Sequence, residues 1–146
     1  MATIYLALRH RDPPGLKGLF AKLIRWRLVT AYPHAGIVIG AALYHSTLAD
    51  GVHVQDAPTA ADGWLLLPTT VDERTARKRI AQRLGRRYDW ISLLAFVLPV
   101  SVRWSRADYC FEFSGFVCDG VKPAGRVTAE QLLALVAQQL AAKGAP

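Results

Sequence analysis

Gly40 and Ala41 separate two stretches of equal length, His34 to Ile39 and Ala42 to Thr47, each dominated by apolar and β-branched residues. A glycine at the first of two central residues suits a type II′ turn, so the chain is held to an antiparallel hairpin here. That register pairs Ile39 with Ala42 and Gly36 with His45, and puts His34 opposite Thr47. Side chains alternate along a strand, so His34 and Gly36 share one face and His45 joins it as the diagonal neighbour of His34. Two imidazoles on one face can touch, or one can orient the other.

The rest of the chain follows as elements around this hairpin. Thr3 to Leu8 reads as a short apolar strand. Leu16, Leu19, Phe20, Leu23, Ile24 and Leu28 keep helical spacing, with Lys17, Lys22, Arg25 and Arg27 between them. The result is a basic amphipathic helix whose apolar stripe is expected to pack on the core, with membrane contact as the alternative. Val52 to Gln55 and Trp64 to Leu67 are further strands. Thr70 and Glu73 have the spacing of a capping box, and Ala76, Ile80 and Leu84 form the inward stripe of a helix ended by Gly85. Ile91 to Val97 reads as a short buried helix or apolar loop. A helix from Cys110 to about Asp119 is expected, with Asp108 placed to cap it. Thr128 and Gln131 open a last helix that ends near Lys143 and Gly144. The predicted class is α+β, a small antiparallel sheet with helices before and after it.

At 146 residues, 52% apolar and 20% charged, the chain (1–146) has the size and composition of one globular domain. The longest apolar candidate, Ile91 to Val100, is too short to span a bilayer and contains Pro99. The start, Met-Ala-Thr-Ile-Tyr-Leu, lacks a basic leader, which favours the cytoplasm or delivery by another route. Eighteen Lys and Arg against eleven Asp and Glu give a net charge of +7. Such a surface favours polyanions: nucleic acid, anionic lipid or acidic cell-wall polymer. The densest cationic cluster, Arg74 through Arg87, reads as the solvated face of a helix. No aromatic interleaving accompanies it, so no specific nucleic-acid partner is predicted.

Two cysteines occur, Cys110 and Cys118. Eight helical residues would hold them about 12 Å apart along the axis, too far for a disulfide. Cys118, among Phe116, Val117 and Val121, reads as a buried small hydrophobe. Cys110 stands at the first turn of its helix, where exposed N–H groups and the dipole favour a thiolate, and a nearby imidazole would lower its pKa further. His34, His45, His53 and Cys110 could supply zinc ligands, yet no metal-binding spacing such as HExxH or CxxC is present, and no cofactor is predicted. His10 and His53 read as loop or edge histidines. Glu112 is expected to pack or pair within its helix.

His34-Ala-Gly-Ile-Val-Ile-Gly followed by Leu-Tyr-His45 resembles the histidine hairpin of the NlpC-type cell-wall cysteine peptidases. Asp108-Tyr-Cys110-Phe-Glu-Phe-Ser is similar to the helix start that carries their nucleophile, and Gly85-Arg-Arg-Tyr88-Asp-Trp90 to the segment before it. Here the histidines precede the cysteine, the order of the circularly permuted branch of this papain-like superfamily. The resemblance implies a permuted papain-like fold with Cys110 as nucleophile, His34 as general base and acid, and His45 as the residue orienting it. It implies Tyr88 as a donor to the oxyanion beside the backbone N–H of Cys110. Phe111 departs from the small residue usual after the nucleophile, and the stretch from Tyr88 to Cys110 is long. The activity implied is amide cleavage through a thioacyl intermediate, with peptidoglycan peptides as the usual substrate class. Alternatives are an acyltransferase or lipid-directed thioester or amide hydrolase, meeting acylated substrate at an anionic membrane surface, and a basic non-enzymatic binding domain. A cell-wall role would need phage or secretory delivery.

Overall fold

The computed structural model describes residues 2–12, 14–28, 30–91, 108–121 and 127–144. Five antiparallel strands form one sheet in the order β4-β3-β2-β1-β5: β1 Ile4–Arg9, β2 His34–Ile39, β3 Ala42–Thr47, β4 Gly51–Asp56 and β5 Trp64–Pro68. Helix α1 (Leu16–Leu28) joins β1 to β2, a short 3-10 turn (Ala60–Asp62) precedes β5, and α2 (Glu73–Ala81), α3 (Cys110–Asp119) and α4 (Ala129–Gly144) follow the sheet. The class is α+β. No helix among the described residues is long and apolar enough to cross a membrane.

The hairpin has the predicted register, Ile39 opposite Ala42 and Gly36 opposite His45, with Gly40 at a φ of 59° in the turn. Alternation then sorts β2 onto two faces. Ala35, Ile37 and Ile39 join Ile4, Leu6 and Leu8 of β1 in the main core, against Phe113, Val117 and Leu132 of the helices. Val38 packs on the other face with Ala7, Leu43 and Trp64. Helix α3 lies on the first face and is buried nearly throughout, from Cys110 to Cys118. A helix buried on all sides is apolar all round, and its sequence, CFEFSGFVCD, departs from that only at Glu112, Ser114 and Asp119.

Several local expectations are corrected. Helix α2 is capped by Asp72, whose carboxylate accepts from the Thr75 N–H at 2.9 Å, while Glu73 turns instead to the Ala2 N–H and Arg77. The helix stops at Ala81, so Leu84 lies past it and is half exposed rather than in the stripe of Ala76 and Ile80. Asp108 does not cap α3; its carboxylate takes two hydrogen bonds from Arg83, at 2.9 and 3.2 Å. Arg83 is itself buried, with its guanidinium 4.0 Å over the Phe116 ring, and Arg86 stands 3.7 Å from Asp108. Arg79 donates to the Val117 carbonyl at 2.7 Å, closing the C-terminal end of α3. The arginine cluster is therefore partly a clasp holding α2 to α3, because a helix buried on all sides needs cations at its orphan carbonyls and at the carboxylate before it. Val121 is exposed, not packed with Cys118.

Thr128 and Gln131 do form a capping box, Gln131 Oε1 accepting from Thr128 N–H at 2.9 Å and Thr128 Oγ1 from Gln131 N–H at 3.3 Å. Helix α1 keeps its predicted extent, but its predicted stripe is split, Ile24 turning inward while Leu19 and Leu23 turn out. Ala21 is buried and Ile24 packs on the core, whereas Leu19, Leu23 and Trp26 face outward. The apolar segment after Ile91 lies outside the described residues.

Candidate functional site

Two constellations meet at the end of the sheet where β2 begins. The first is a row of histidines. Register sets His45 of β3 opposite Gly36 of β2 on one side and opposite His53 of β4 on the other. His34 Nε2 lies 2.8 Å from His45 Nδ1, and the rings meet edge to face at 5.1 Å. His53 packs against His45 with ring centroids 4.4 Å apart and the rings tilted by 47°. Trp64 packs edge-on against His34 at 5.7 Å and holds the Arg9 guanidinium 5.8 Å over its ring. Gly36 makes this possible. A Cβ there would stand 2.7 Å from Leu43 Cδ1 and 3.0 Å from His45 Cβ.

Burial dominates the ionisation of this row. His34 is lowered to about 3, by desolvation first and then by His45, Arg9 and His53. His45 is lowered to about 4, again by desolvation and then by His53, with Gln55 pulling weakly the other way. Both rings are neutral at neutral pH, so one donates and the other accepts in their shared hydrogen bond. If His34 Nε2 carries the proton, its Nδ1 holds the free lone pair.

The second constellation surrounds Cys110. The β2–β3 pairing ends at Gly36 and His45, and one position further on Ser46 of β3 turns to the residues that lead into α3. Ser46 Oγ donates to the Asp108 carbonyl at 2.6 Å. The backbone N–H groups of Ala35 in β2, of Phe111 and of Cys110 itself lie on the side of the thiol where they favour its charged form. Tyr88, Tyr109 and Glu112 lie close enough to feel its charge, and all of them are buried. Tyr109 is fixed by its hydroxyl, which accepts from the Val127 N–H at 2.7 Å.

The thiol does not behave as its place on the helix suggested. Burial pushes Cys110 up to about 12, and the three N–H groups recover only part of that. Helix-terminus stabilisation is an effect of the order of 1 kcal/mol, smaller than the desolvation of a thiolate in a closed core. Cys118 is likewise pushed up to about 12 by burial. Both cysteines are free and buried.

Of the residues singled out from sequence, the fold joins His34 to His45 by a hydrogen bond and brings Tyr88 beside Cys110. The two pairs are linked along β2, since His34 is the chain neighbour of Ala35, whose backbone favours the charged form of the Cys110 thiol. No hydrogen bond connects His34 to Cys110 among the described residues, because the His34 ring leans on Trp64, on the face of β2 opposite Ala35. Phe111 belongs to the core, edge to face with Tyr109 at 6.3 Å. Sequence reasoning passed over Arg9 and Trp64, and read His53 as a loop or edge histidine, which its place on edge strand β4 bears out without revealing its contact with His45. The one available signal was His53, which falls opposite His45 once a short turn from Thr47 to Gly51 is assumed. No group of three or more His, Cys, Asp or Glu side chains suited to a metal ion occurs among the described residues. No family model, curated protein or solved structure matches the chain.

Proposed function

We propose that this protein is a cysteine hydrolase that cleaves an amide through a thioacyl intermediate, built as a permuted papain-like domain of the NlpC type. The observation that carries the reading is the hydrogen-bonded pair of His34 and His45 at the start of β2, next in the chain to Ala35, whose backbone N–H favours the charged form of the Cys110 thiol. General-base thiol attack needs a neutral imidazole oriented by a second group and a thiol it can reach; here the oriented pair and the thiol flank one strand, and the His34 ring must leave Trp64 to meet the sulfur.

The resting thiol is protonated and the resting imidazole neutral, so attack and proton transfer go together rather than through a preformed ion pair. Once the His34 ring has swung from Trp64 towards the thiol, sulfur bonds to the carbonyl carbon as its proton passes to His34 Nδ1. The oxyanion takes hydrogen bonds from the Cys110 N–H and the Tyr88 hydroxyl. The C–N bond then breaks, His34 returns the proton to the leaving amine, and a thioester remains on Cys110. Water, deprotonated by His34, attacks the thioester and releases the acid and the thiol. His45 keeps His34 in the productive tautomer. Peptide amides of cell-wall type are the proposed substrate class.

The test is intact-mass spectrometry after incubation with short acyl-peptide amides and activated esters. An acyl adduct on Cys110 that Cys110→Ser and His34→Ala both abolish is expected. Absence of any adduct or turnover across the panel, or labelling that survives Cys110→Ser, would overturn the proposal.

A further inference from the structure

Helix α1 turns an apolar stripe away from the protein. Leu19, Leu23 and Trp26 are 65%, 41% and 76% exposed. Their spacing of four and three residues stacks them on one side of the helix, opposite the buried Ala21 and the core-packed Ile24. Three large apolar side chains in a row, on a helix whose other side already serves the core, are not isolated surface hydrophobes.

The charge of the same helix selects the partner. Its sequence, LKGLFAKLIRWRL, carries four cations and no acid. Arg25 is engaged inward with Asp12, 3.0 Å away, and with the His10 carbonyl, while Lys17 and Lys22 are exposed. A second copy docking face to face would bring two acid-free helices together within a net charge of +7 each. An apolar stripe with cations and an aromatic beside it fits the headgroup boundary of an anionic bilayer, where the stripe sinks among acyl chains and lysines meet phosphate.

We infer that α1 is an interfacial helix that seats the protein on an anionic lipid surface through Leu19, Leu23 and Trp26. The inference stands apart from the chemistry proposed for Cys110.

Cosedimentation of the full chain with phosphatidylcholine vesicles, with and without phosphatidylglycerol, tests it at low and physiological salt. Binding to the anionic vesicles should persist at physiological salt. It should weaken by at least about tenfold in the triple variant Leu19→Gln, Leu23→Gln, Trp26→Gln, which keeps helix-forming residues and an exposed location. Circular dichroism of the variant verifies that the fold is kept, and Cys110→Ser should bind as the parent does. Binding that vanishes with salt, or that the triple variant retains, would show a diffuse charge effect and overturn the inference. No vesicle binding at all would overturn it too. So would a concentration-dependent dimer in sedimentation velocity, lost in the triple variant and unaccompanied by lipid binding, since the stripe would then serve a second copy.

Discussion

Arg83→Met isolates the clasp between α2 and α3. The substitution keeps an unbranched stem to lie over Phe116 but removes the guanidinium that gives Asp108 hydrogen bonds at 2.9 and 3.2 Å. Asp108 is 0% exposed, so its carboxylate keeps its desolvation while losing its nearest cation. Removing one partner of a buried pair costs about 3–5 kcal/mol. Arg86 remains 3.7 Å away and partly solvated, which places the expected loss near the low end, about 3 kcal/mol. For a domain of this size that is a fall in Tm of roughly 6–12 °C. Urea unfolding should show the loss as a lower midpoint at unchanged slope. Adding Asp108→Asn removes the buried charge that Arg83 faced, so the double variant should recover about 1–2 kcal/mol relative to the sum of the two single losses. A single-variant loss under about 1 kcal/mol, or strict additivity of the pair, would refute the assignment of a buried structural ion pair.

Acid should destabilise the protein through its histidines. His34 and His45 titrate at about 3 and about 4 when folded, against 6.5 unfolded, so the unfolded chain binds more protons between those values. The stability they hold is complete above pH 6.5 and is lost as pH falls towards 3; for His45 the change from pH 7 to 4 is of the order of 2–3 kcal/mol. Denaturant midpoints against pH should show this slope, and His45→Asn should flatten it; an unchanged slope would contradict the burial of the pair. Gly51→Ala should be far more damaging than Gly40→Ala. Both glycines have positive φ, but a Cβ at Gly51 would fall 2.0 Å from the Arg86 carbonyl oxygen, while one at Gly40 meets nothing within 4 Å. Gly40→Ala should then cost only the left-handed penalty, about 1–2 kcal/mol, and equal midpoints for the two variants would disprove the close approach. Iodoacetamide at neutral pH should modify native Cys110 and Cys118 far more slowly than the denatured chain, because burial raises both thiols. Rapid native labelling of Cys110, read by peptide mass, would mean that its thiolate is stabilised more than its surroundings allow.

The hairpin was legible because its information is local: a glycine turn of two residues fixes the register, and the register fixes which histidines share a face. The start of α3 at Cys110 and the cap at Thr128 were legible for the same reason. What escaped was set by tertiary contacts. Asp108 has the right spacing to cap α3, but a buried arginine from α2 competes for it, and that arginine's approach depends on how two helices cross. Leu19 and Leu23 carry the periodicity of a core stripe, and periodicity cannot say which side of a helix meets the sheet. The ionisation of Cys110 was misjudged because helix ends are visible in sequence and depth is not.

Gly36 is the residue on which the histidine pair depends without belonging to it. It sits opposite His45 and one alternation along from His34, where any side chain would press on Leu43 and His45. The contact between the two imidazoles is thus conditional on an empty volume. A methyl group at this position would leave both titratable groups in the chain and wedge apart the geometry that couples them. Survival of His34 and His45 in a variant is therefore no guarantee of a working pair: the steric licence for their hydrogen bond is held by a residue with no chemistry of its own.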